Sequence, residues 1–121
     1  MRAEDRVRAL PIWRGQPRVE PLAGGITNQN FVVTDAQGRA VVRIGGDIPE
    51  HHIFRATELA ASQAAHAAGI SPAVRYHEDG VLVIAFIAAR TLTADDLCDA
   101  AQLTEALALV ARAHHDIHRH L

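Results

Sequence analysis

Between Arg18 and Phe86, short β-prone runs alternate with glycine-bearing turns, and a single alanine-rich stretch interrupts them. Residues 18–22 run into Gly24-Gly25, residues 30–34 follow, and Asp35-Ala36-Gln37-Gly38 supplies the turn into residues 40–44, which end at Gly45-Gly46. This spacing predicts three antiparallel strands. Pro49 suits a first helical turn, the chain is rich in alanine to Ala68, and Gly69 with Pro72 beyond it supplies the stop. A long helix over 49–68 is expected. Residues 73–77 and 81–86, joined by Glu78-Asp79-Gly80, read as a hairpin whose second strand is apolar enough to lie inside the sheet.

The flanks are helical. Ala3, Val7 and Leu10 share a helical face that stops at Pro11, after which Ile12 and Trp13 are extended, with Trp13 expected on the core. At the other end, Thr93-Ala94-Asp95-Asp96 resembles a capping box with Asp in place of Glu, and a second long helix is expected from about Asp99 to Leu121. That helix carries Ala100, Leu103, Leu107, Val110, His114, Ile117 and Leu121 at steps of three and four, an apolar seam that needs a cover. Self-association through residues 100–121 is one way to supply it. The fold class expected is therefore α+β, a five-stranded antiparallel sheet with one long packed helix.

Composition narrows the chemistry. With 121 residues, 49% apolar and 21% charged, the chain supports one core and is too short for two ordinary domains. Its net charge of −2 forms no block of either sign, so no nucleic acid or membrane surface is implied as a partner. All 12 basic residues are arginine, which excludes a Schiff-base lysine and the lysine of a Walker-type phosphate loop. A single Cys98 permits neither an internal disulfide nor a CxxC pair, and a cytoplasmic location is expected. No apolar run approaches the roughly 20 residues of a membrane helix.

Two places invite a functional reading. The Gly24-Gly25-Ile26-Thr27-Asn28 link suits either a tight turn or a phosphate cradle, since glycine lets the main chain approach a ligand and Thr27 and Asn28 add small polar side chains. Arg43 interrupts the apolar run Val41-Val42-Arg43-Ile44 and must find an anion or open space. On the long helix, Phe54, Glu58, Ala61, Ala65 and Ala68 form one row with a carboxylate in it. Glu58 has three outlets: Arg43 on the sheet, Arg55 on its own helix, or solvent. A basic residue held by a helix carboxylate beneath a glycine-containing hairpin is the nucleotide-binding layout of kinase-type phosphoryl transfer.

Other constellations fail. His114 and His118 share a helix face, but no matching acidic or cysteine ligand stands elsewhere, so no metal site is assigned. His114-His115-Asp116 imitates the start of a phosphotransferase catalytic loop, yet Leu121 stands where the metal-binding Asn belongs and the setting is helical. Ser62, Ser71 and Cys98 lie in no nucleophile motif. No catalytic residue is assigned within the chain.

Taken together, Leu10-Pro11-Ile12-Trp13, the segment from Pro21 through Gly24-Gly25-Ile26-Thr27-Asn28 to Phe31, Val42-Arg43-Ile44-Gly45, Arg55-Ala56-Thr57-Glu58, Ala68-Gly69-Ile70-Ser71-Pro72 and Ala85-Phe86-Ile87 resemble the amino-terminal lobe of the choline/ethanolamine kinase family. That family is a branch of the aminoglycoside phosphotransferase-like, protein-kinase-like fold. The resemblance implies a nucleotide-binding lobe over residues 1–88. It also implies a hinge, linker and first helix of an incomplete carboxyl-terminal lobe over 89–121. It implies ATP as cofactor and a small amino alcohol as acceptor. Gly24, Gly25, Thr27 and Asn28 would line the phosphates, Arg43 would contact them, and Glu58 would hold Arg43. Ala85 and Ile87 would offer main-chain groups to adenine, with Phe86 packed beneath. The family's catalytic loop and Mg2+ ligands belong to the second lobe, so the resemblance implies that the chain is the ATP-binding part alone, truncated and inactive by itself. A non-catalytic nucleotide-binding or interaction module using helix 100–121 is the alternative.

Overall fold

The computed structural model describes residues 1–23 and 27–121. Five strands, β1 (Arg18–Leu22), β2 (Gln29–Asp35), β3 (Gly38–Ile44), β4 (Val74–Glu78) and β5 (Val81–Ala85), form one antiparallel sheet in the order β1-β2-β3-β5-β4. The α+β class and the five strands agree with the sequence reading, and β5 is an interior strand as its unbroken apolar run requires. The β2–β3 and β4–β5 hairpins turn on glycine in a left-handed conformation, Gly38 at φ +119° and Gly80 at φ +73°. At the first, the Asp35 carboxylate accepts the Gln37 and Arg14 N–H groups at 2.9 Å each, tying the amino-terminal segment to the β2–β3 turn. The Arg14 contact is the main reason that carboxyl lies below its ordinary range.

Strand alternation sorts side chains to two faces. In register across the sheet, Phe31, Val42 and Val83 point one way, joined by Val19, Val33, Ala40 and Val81 in the buried core. Helix α1 (Ala3–Arg8) closes that face with Val7 and, just past its end, Leu10. Trp13 packs there as expected, and its Nε1 donates to the Val7 carbonyl at 2.7 Å. The neighbouring row, Asn30, Arg43 and Leu82, points the other way, toward helix α2 (Arg55–Ala67).

Helix α2 begins later than the sequence suggests. Pro49 opens a single 3-10 turn, Pro49–His51, after which His52 turns left-handed at φ 54° and Ile48 pairs with Ile53. The Asp47 carboxylate then accepts the Arg55 N–H at 2.7 Å and starts the helix there. That start sets which side faces the sheet. Phe54 lies outside the helix and is 44% exposed, while Arg55, Glu58, Leu59 and Ser62 are partly covered and Ala64 is buried. The helix stops at Gly69, φ +78°, as expected.

Helix α3 (Ala100–Asp116) is capped by Asp99, whose side chain accepts the Ala101 N–H. The Thr93/Asp96 box forms reciprocally, but it opens a 3-10 turn, Asp96–Cys98, rather than α3 itself. A further 3-10 turn, Ile117–His120, ends the chain and lies against α2, and Arg112 donates to the Ala68 carbonyl at 2.8 Å. Leu107 and Val110 of the seam are 60% and 54% exposed. Among the described residues no helix is long and apolar enough to cross a membrane.

Candidate functional site: a cleft between the sheet and helix α2

Where the exit of β3, the entry to β2 and the first turn of α2 meet, they leave a cleft of about 390 Å³. Arg43 enters it from the sheet, Asn28 from the β1–β2 link, Arg55 and Glu58 from α2, and Leu59 and Leu82 supply apolar walls. Alternation places Arg43 here, because Val42 before it and Ile44 after it belong to the opposite face. Of the residues singled out from the sequence, Asn28, Arg43 and Glu58 line this one cavity.

The ion pairing inside it differs from the pairing that the resemblance implied. Glu58 does not hold Arg43. Both Glu58 oxygens accept from Nη1 of Arg55, at 2.9 and 2.8 Å. The two residues lie three apart on one helix, so they meet without any tertiary reach, and the ordering cost is smaller than for a contact to the sheet. Among the described residues Arg43 forms no hydrogen bond or ion pair, and the buried Oδ1 of Asn28 accepts none. The Arg43 guanidinium therefore keeps unspent donor capacity at the cleft, whereas the Asn28 Oδ1 is an acceptor sealed from solvent.

Arg55 was legible only as one of three partners for Glu58, and the sequence reading did not count it as a site residue. Its guanidinium, 15% exposed, also donates from Nε to the Gly46 carbonyl at 2.8 Å and from Nη2 to the Thr27 carbonyl at 2.9 Å. The small residue beside it was the missing signal. A Cβ on Gly45 would stand 3.0 Å from Arg55 Nη2 and 3.1 Å from Asn28 Cβ, so any larger residue there would press on the nitrogen that binds the Thr27 carbonyl. Thr27 joins the site through its carbonyl rather than its hydroxyl. Gly24 and Gly25, expected to line the phosphates, lie outside the described residues.

At the far end of β5 the expected hinge is partly committed elsewhere. The Ala85 N–H donates to the Ala73 carbonyl at 2.9 Å, and the Ile87 carbonyl accepts the Ala89 N–H at 3.0 Å. Only the remaining main-chain groups of Ala85 and Ile87 are left for a ligand. Phe86 packs against Arg39, whose guanidinium carbon lies 4.1 Å from the ring centre. That contact fixes the ring beside β3.

What favours a phosphate-bearing ligand is an unpaired arginine in the cleft and a helix carboxylate, Glu58, already neutralised by a second arginine; Glu78 and Asp79 lie on the wall away from that pair in sequence, at the end of β4 and on the β4–β5 turn. The arrangement does not fit a metal ion by itself. Among the described residues no group of three or more His, Cys, Asp or Glu could hold one.

A five-stranded antiparallel sheet carrying a basic residue on its third strand, opposite a long helix with a carboxylate, defines a protein-kinase-like amino-terminal lobe. The chain belongs to the phosphotransferase enzyme family, whose model matches residues 18–121. It is similar to the choline kinase from Cryptosporidium parvum Iowa II, with 25% sequence identity and a TM-score of 0.55 over 67% of this chain. The match takes in 23% of that kinase. No curated protein matches the sequence.

Proposed function

We propose that this chain is the ATP-binding part of a phosphotransferase that moves the γ-phosphoryl group onto the hydroxyl of a small amino alcohol of the choline or ethanolamine type. The observation that carries the reading is Arg43, which projects into the cleft beside Asn28 with no partner of its own among the described residues. Transfer of a phosphoryl group is mostly positioning and charge stabilisation, and a guanidinium held in a partly dry cleft is suited to both. In this reading Gly24, Gly25, Thr27 and Asn28 line the triphosphate, Arg43 binds it, and Glu58 acts through Arg55 rather than on Arg43. Adenine meets the free main-chain groups of Ala85 and Ile87, with Phe86 at the side. Residues 1–88 make the nucleotide lobe and 89–121 the connection to a second lobe, which supplies the base, the Mg2+ ligands and the acceptor site. The reading places the protein in the cytoplasm, free of nucleic acid and membrane.

The test is ATP-induced thermal stabilisation of the wild type and of Arg43→Ala. The wild type should gain melting temperature with ATP, and Arg43→Ala should lose that gain while melting at nearly the same temperature without ligand. An equal gain in both would remove the phosphate role from Arg43.

The exposure of Leu107 and Val110 favours a second reading, an interaction module in which α3 meets α3 of another copy. Light scattering decides it: a dimer that Leu107→Glu dissociates supports the module, and a monomer at all concentrations sinks it.

A further inference from the structure

The guanidinium of Arg55 ties together three separate pieces of chain. Nη1 holds Glu58 on α2, Nε holds the Gly46 carbonyl just past β3, and Nη2 holds the Thr27 carbonyl just before β2. Its own backbone N–H is bound by Asp47, so the residue is fixed at both ends. The planar fork of arginine reaches such divergent acceptors at once, and the ammonium of lysine does not. Glu58 aims and neutralises the fork, and Gly45 leaves the room that it crosses.

The Thr27 carbonyl shares a rigid trans peptide with the Asn28 N–H, which points the opposite way. Fixing one fixes the other. The geometry points to Arg55 as a positioning residue: it sets the orientation of the Thr27–Asn28 peptide, and so the direction of the Asn28 N–H and the placing of the Asn28 side chain at the wall of the cleft. This deepens the proposed function and rests on it where a triphosphate is the ligand. The tie of peptide to helix exists without any ligand. A consequence is that α2 and the Thr27–Asn28 peptide move together, since neither can shift without breaking a charge-assisted bond.

Hydrogen exchange by mass spectrometry on the full chain, comparing wild type, Arg55→Lys and Glu58→Gln, tests it. Arg55→Lys keeps the charge but loses the fork. Exchange in peptides covering residues 27–31 should speed up by roughly tenfold, the scale of one lost charge-assisted hydrogen bond, while β4 and β5 remain as slow as in the wild type. Glu58→Gln, which keeps the Thr27 and Gly46 contacts, should change the same peptides far less. In parallel, Arg55→Lys should weaken ATP binding by about the same factor and leave adenosine binding unchanged.

Unchanged exchange at 27–31 overturns the proposal, as does a uniform acceleration that includes β4 and β5, which would make Arg55 merely structural. Equal weakening of ATP and adenosine overturns it too. Should the wild type bind no ATP, the nucleotide reading falls, and the exchange comparison still decides whether Arg55 sets the link.

Discussion

Arg55 and Glu58, one turn apart on α2, form a closed contact in which one guanidinium nitrogen reaches both carboxylate oxygens. The pair sits at the mouth of the cleft with the arginine mostly covered, so removing the acid strands a cation that has little water to turn to. Glu58→Ala should therefore destabilise the chain by about 1–3 kcal/mol, with Glu58→Gln costing less because its amide oxygen still accepts one bond. Urea unfolding of the two variants measures the difference. Equal stability of Glu58→Ala and wild type would mean that the pair is no better than a surface contact.

Gly45 is the other half of the same construction. Its amide donates to the Gly80 carbonyl at 2.9 Å, and an added methyl would press on Arg55, Asn28 and the Thr27 carbonyl, the last at 3.3 Å. Gly45→Ala should cost about 1–2 kcal/mol by overpacking. Combined with Arg55→Ala, which removes the obstacle, the cost should be less than the sum of the two, as expected for contacting residues. Additive losses in a double-mutant cycle would separate the two positions.

Val83 lies at the centre of the sheet, fully buried between Val42 on β3 and Tyr76 on β4. Val83→Ala should lower stability by about 2 kcal/mol, from lost transfer energy and the cavity left behind. Ile84→Ala, on the opposite and only partly covered face, should cost less. Chemical denaturation midpoints rank the two.

The contribution of Asp96, at the start of the 3-10 turn Asp96–Cys98, should survive well into acid. The Asp96 carboxyl is held down to about 2, from an ordinary 3.8, chiefly by the Arg90 side chain and then by the Thr93 N–H, with desolvation opposing. The folded value lies below the ordinary one, so this contribution to stability is complete above pH 3.8 and is lost as the pH falls through about 2. A carboxyl-carbon NMR titration should find the low midpoint, and Arg90→Gln should raise it toward the ordinary value. A midpoint that ignores Arg90→Gln would assign the effect elsewhere.

Much of this was written in local chemistry. β1 over Arg18–Leu22, the Asp-Gly hairpin between β4 and β5, the stop at Gly69 and the packing of Trp13 all follow from alternation, turn residues and apolar spacing, which act over a few residues. The same alternation sends Arg43 to the face opposite Phe31, Val42 and Val83, so its presence in the cleft was already implied.

What pairs with what was decided only in three dimensions. The helix begins at Arg55 instead of Pro49 because Ile48 finds Ile53 and Asp47 finds the Arg55 amide, contacts that carry no periodic signal. Along the chain Arg43 looked the best cation for Glu58, with Arg55 or solvent as the plainer outlets. The nearest one took it because the guanidinium of Arg55 is anchored at the same time by the Gly46 and Thr27 carbonyls, and those carbonyls reach it only after β2, β3 and α2 have packed. Local sequence sets which way a side chain points; the meeting of distant main-chain acceptors sets whom it binds.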